Sequence, residues 1–285
     1  MVAGGLPPLV QWASVIRGRN CHLCRDRAGT ALSCWRDRQV GASVFAAALA
    51  AGLAPTCALV DTVVYTNDFN GPVGTVYSEW SAAQYSWTGN RAGTIDTGGS
   101  SEVITNVDSA NGSQRFLGEL GGPVILKNPP YDPAHFVRVK ESIDLSLNDL
   151  PAHSSMTLSF DLYVLKSWDG DSPTVGPDQW SVAVKGGPSL LETTFSNNPK
   201  TAYEGSFQSY PTRGSAPQTG AAAVNTMGYG FWFGDATYHL AFTFPHMGRS
   251  AVVSFSSSLY EGKSEQARGT RDESWGLDNV RVTVR

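Results

Sequence analysis

The sequence predicts an all-β fold: two antiparallel sheets packed face to face as a jelly-roll β-sandwich of about ten strands. Three observations carry this. Several segments alternate apolar and polar residues with period two, which puts successive side chains on opposite faces of a sheet. The stretches between them are rich in turn formers, and the chain holds 30 Gly and 16 Pro in 285 residues. No convincing amphipathic helical period appears after residue 60.

The elements follow in order. Residues 63–69 open the domain, and 135–145 alternate over a long stretch. Within 156–164 every even position is apolar, placing Met156, Leu158, Phe160, Leu162 and Val164 on one buried face and Asp161 on the other. Residues 238–244 and 251–255 repeat the pattern. Shorter strands are expected at 115–120, 123–126, 179–184 and 190–195, and 275–284 closes the set. The longest connection, about 197–230, has no helical period, and loops of that length are usually functional or mobile.

Ahead of this body, Arg36 and Arg38 precede an apolar run and the small residues Thr56 and Ala58. Residues 36–58 therefore read as an export signal, leaving a single domain at 59–285 in a secreted, extracellular bacterial protein. The apolar run of about 12 residues is short for a membrane span, which needs about 20. Residues 1–35 have no period and read as a non-structural extension, with the true start near Leu32 or Val40. Cys57 leaves lipidation as a second reading. All four cysteines (Cys21, Cys24, Cys34, Cys57) precede the body, so it holds no disulfide. Cys21 and Cys24 have C-x-x-C spacing, but no second pair follows.

The first 58 residues hold six Arg and two Asp, leaving the body 15 basic residues against 23 acidic ones. That balance argues against nucleic acid, whose phosphates need cationic neutralisation. It is compatible with Ca²⁺, which prefers carboxylate and carbonyl oxygens. A monomer is expected.

The most site-like segment runs from Trp168 to Trp180. It sets Asp169, Asp171 and Asp178 between two tryptophans, whose faces would stack on sugar rings while the carboxylates accept sugar hydroxyls. The same aspartates would alternatively form a cation loop or an acidic turn over buried tryptophans. No G-x-S-x-G elbow or H-E-x-x-H helix occurs, and Glu79 and Glu119 would pair for glycoside hydrolysis only by tertiary accident. His135, His153, His239 and His246 read as satisfied or surface histidines.

Asp68-Phe69, 160–164, 167–170, 176–180, 193–197 and the closing 272–280 run, with its Trp275-Gly-Leu-Asp-Asn-Val280, together resemble secreted bacterial jelly-roll domains of exported PEP-CTERM-type proteins. They are also similar to MAM and reelin-type modules and Ca²⁺-stabilised carbohydrate-binding modules of concanavalin or galactose-binding-like fold. The resemblance implies that the first and last strands lie side by side and share a structural Ca²⁺ held by Asp68 and Asp278, with Asn70 nearby and Asp161 joining from the adjacent face. It implies a non-enzymatic module that binds a glycan or extracellular polysaccharide. The alternatives are a hydrolase or lyase on the same fold, and a structural component of a surface layer or matrix.

Overall fold

The computed structural model describes residues 60–91, 94–121, 137–198, 207–230, 234–261 and 273–285, all within one compact unit, Cys57–Arg285. The extension at 1–35, the export signal at 36–58 with Cys57, and the strand expected at 123–126 lie outside the described residues. No described helix is long and apolar enough to cross a membrane.

Among the described residues thirteen strands form two antiparallel sheets, against about ten expected for the body. The first sheet runs β10 (Ala223–Val224), β11 (Asp235–Pro245), β7 (Ser155–Lys166), β13 (Glu273–Val284), β5 (Arg115–Leu120), β4 (Asn106–Asp108). β1 (Thr62–Asn67) shares the outer edge of β13 with β5: β1 pairs with the 280–284 half and β5 with 275–277. The second sheet runs β3 (Thr94–Glu102), β2 (Ala83–Arg91), β6 (Val137–Leu147), β12 (Ala251–Glu261), β8 (Gln179–Val184), β9 (Ser189–Thr194).

The alternating residues account for the core. Met156, Leu158, Phe160, Leu162 and Val164 are all buried, as are Val139, Ile143, Val253 and Phe255 from the facing sheet. Phe160, Trp180, Phe255 and Trp275 meet ring to ring at its centre, at edge or tilted angles that suit aromatic quadrupoles. At 163–165 the period fails, because the loop bearing Met227 and Tyr229 covers the outer face and buries Tyr163 and Leu165 as well. That loop belongs to the long connection. The buried amide of Gln208 organises the connection by accepting from Ser196 and Gln218 N–H and donating to the Tyr210 and Thr219 carbonyls.

Two connections carry the chain between sheets at one end of the sandwich. β6 leads to β7 and β11 leads to β12, so both corners join the same neighbouring strands. Leu150 N–H donates to the Arg249 carbonyl and His246 N–H to the Ser154 carbonyl, holding the corners side by side.

Candidate functional site

The 168–180 segment is a buried corner and not a stacking platform. Trp168 and Trp180 are both fully buried. Trp168 donates its indole N–H to the Ser274 carbonyl at 2.8 Å and packs against Phe195. Trp180 lies on the core face of β8, against Phe160 and Trp275. The expected sugar-stacking role is therefore corrected for both rings: each indole is enclosed by the sandwich and offers no face to a ligand. Asp171 is taken up by the Thr194 and Ser209 hydroxyls, at 2.5 and 2.9 Å, and tethers the long connection to β9.

Asp169 and Asp178 do meet, and Glu273 at the start of β13 joins them. Ligand oxygens from the three lie within 4.8 Å of one another, a spacing that suits a shared cation. Asp178 is fully buried and accepts N–H groups from Asp169 at 2.6 Å and Tyr260 at 3.0 Å. Burial pushes its carboxyl well above the usual range; Asp169 adds to the rise, and the Arg138 guanidinium opposes it. Asn198 donates to Asp169 at 2.9 Å. Glu273 lies 95 residues beyond Asp178 and outside any local motif, so only the fold brings it here.

The set carried over from the resemblance gathers at the other edge of β13. β1 and β13 pair as expected, with Asn67 beside Val280, so Asp68 emerges next to the bulge that follows Asp278. There Asn279 takes φ 49°, a left-handed conformation that Asn tolerates. Asp278 accepts from the Tyr163 hydroxyl at 2.9 Å and from Asn279 N–H at 2.7 Å. Asp161 accepts from the Asn279 amide at 2.8 Å and contacts His239 Nδ1 at 2.5 Å. Asn70 donates its backbone N–H to Asp68 at 3.2 Å, which lowers the Asp68 pKa. Burial pushes Asp278 up to about 6, and the Asp161 and Asp68 charges push the same way. Among the described residues these carboxylates do not close to ligand spacing, and protein donors already serve each of them. Asn106, which the sequence gave no reason to single out, fixes this edge by donating to the Phe69 and Gly71 carbonyls.

A groove of about 450 Å³ lies on the outer face of the six-stranded sheet. Its floor follows the strand register. Gln84, Ser142, Ser256, Ser181 and Glu192 lie in one row across five strands, and Ser86, Lys140, Ser258 and Gln179 lie in the next. Serines hold the centre of the first row, with the longer Gln84 and Glu192 at its ends, while in the second row Lys140 lies between Ser86 and Ser258. Ser181 and Ser256 share a hydroxyl hydrogen bond at 2.7 Å. Trp180 lies beneath this floor, on the opposite face from Gln179 and Ser181. The groove was missed because a run such as Ser254-Phe-Ser-Ser-Ser258 reads as strand and names no chemistry; only cross-strand register assembles the hydroxyls.

No protein-family model matches the chain, and no curated protein does. Among solved structures, the K2 cleaved adhesin domain of Lys-gingipain is similar with a TM-score of 0.30 and 13% identity, over 79% of this chain and 98% of that one. A GH31 α-xylosidase from Xanthomonas citri is similar with a TM-score of 0.27 and 8% identity, over 77% of this chain and 19% of that enzyme. At these scores neither likeness bears on function, and the β-sandwich assignment rests on the two sheets themselves.

Proposed function

We propose that the chain is a secreted, non-enzymatic, lectin-like module that binds a glycan or extracellular polysaccharide in the groove of the six-stranded sheet, with Ca²⁺ steadying the fold. The observation that carries this is the double row of hydroxyl, amide and charged groups across five strands, open on the sheet surface. Such a lining exchanges hydrogen bonds with a polyhydroxylated chain. The export-like leader fits an extracellular role. The buried carboxylates Asp169, Asp178 and Glu273 are all-oxygen donors at ligand spacing, the chemistry Ca²⁺ selects.

A hydrolase fits the groove less well. Its acidic residues are Glu141 and Glu192. Glu141 is buried on the core side, where it accepts from Gly121 N–H. β6 and β9 are three strand steps apart, roughly 14 Å at the usual strand spacing, whereas paired glycosidase carboxylates lie about 5–10 Å apart.

The test is a glycan array probed with the full chain, with Ca²⁺ and with EDTA, beside a Ser256→Tyr variant. Ser256 is half-buried on the sheet surface, where an aromatic residue is tolerated and would fill the groove. Retention on one class of glycan that the variant loses, at unchanged melting temperature, supports the reading. No retention on any glycan, or equal retention by both proteins, overturns it.

A further inference from the structure

His153 lies in the β6–β7 corner and His246 in the β11–β12 corner, with Nε2 of the first 2.7 Å from Nδ1 of the second. The ring centroids are 5.0 Å apart and the planes differ by 17°. That separation equals the N···N distance plus the two ring radii, so the imidazoles meet edge to edge, not face to face. A proton between them lies in line with both lone pairs. A tetrahedral metal ion, which needs bent ligand directions, has no room there.

Counting protons fixes the rest. His153 Nδ1 is 2.6 Å from the Pro151 carbonyl, an acceptor only, so this nitrogen carries hydrogen. Nε2 of a neutral His153 is then an acceptor, and His246 Nδ1 donates to it. This leaves His246 Nε2 to take up the first added proton, where the Ser250 carbonyl favours it. The link survives that step. A second added proton would have to enter the line between the rings, setting two N–H donors head to head. The nearby charges do not relieve this: Asp149 pairs with Arg249 and Asp61 with Arg285, each at 4.0 Å and exposed.

We propose that His153 and His246 form a proton-sharing tie that holds the two sheet-crossing corners together near neutral pH and releases them in acid. The tie is placed to act on both sheets, because each of its two corners carries the chain from one sheet to the other, between strands that are neighbours in both. Burial, with His153 nearby, holds His246 below the usual histidine range, so release belongs to acid conditions and not to small changes around neutrality.

Imidazole ¹⁵N NMR of the full chain, titrated from about pH 7.5 to about pH 4, tests it alongside amide exchange at His246 and Leu150. The expected result is a Nδ1–H tautomer for His153 and two coupled steps, the lower one below the ordinary histidine pKa. Protection of the two amides should fall at least about tenfold across the lower step while Val253 keeps its protection. His153→Ala should leave His246 with one simple step and the amides weakly protected at both ends of the range. Independent single-step titration of both rings in the unmodified chain, or amide protection that ignores the lower step, would overturn the proposal.

Discussion

Asp278 on β13 stands directly opposite Asp161 on β7, two carboxylates paired across adjacent strands of one ladder. Like charges in that position are destabilising, and Asp278 answers by holding its proton up to about 6, chiefly because it is buried. The sign follows. A carboxyl whose folded pKa lies above its unfolded value of about 4 contributes stability that is complete below that value and lost as pH rises through about 6. Asp278→Asn keeps an acceptor for Tyr163 and removes the charge. Without added cation it should gain about 1–2 kcal/mol over the parent at pH 8, less than the full shift implies because solvent screens part of the charge. At pH 4 the two proteins should match. Denaturant melts at both pH values check this, and equal stability at pH 8 would contradict it.

Trp168→Ala should cost about 3–5 kcal/mol, since it opens a cavity in the core and leaves the Ser274 carbonyl without its donor. Urea unfolding measures the loss. A cost below about 1 kcal/mol would mean that the ring is not enclosed as described.

Calcium should raise the melting temperature of the full chain. At 100 times its dissociation constant the gain is about 2.7 kcal/mol. Asp178→Asn should remove most of that gain, and Asp278→Asn should leave most of it. The reverse pattern would move the ion to the Asp68–Asp278 edge, and identical melts in Ca²⁺ and EDTA would dismiss it from both.

Intact-mass measurement of secreted protein should give a chain that begins near Leu59 and holds no cysteine. A mass that includes Cys21 and Cys24 would contradict the export reading at 36–58 and reopen the C-x-x-C pair.

Much of the sandwich was legible because burial writes itself into alternation. β5 and β8 match their expected bounds, and β6, β7 and β13 match closely. β2 and β3 were not legible: Gly98-Gly-Ser-Ser101 has poor strand propensity, and the continuous register between these strands comes from pairing, not from side-chain preference. In the 168–180 segment the sequence brought Asp169 and Asp178 to notice but put the tryptophans on the wrong side. Trp180 alternates with Gln179 and Ser181, and a period of two alone does not say which set faces the core. Glu273 and the serine rows were invisible for one reason: residues on different strands become neighbours only through the fold.

Backbone amide NMR during titration with the strongest glycan from the array tests the central claim most directly. Shifts concentrated at Ser142, Ser181, Ser256 and Ser258 are the predicted result. Shifts confined to the surface over 168–178, or to the opposite sheet around Asp161 and His239, with the serine rows unmoved, would contradict it.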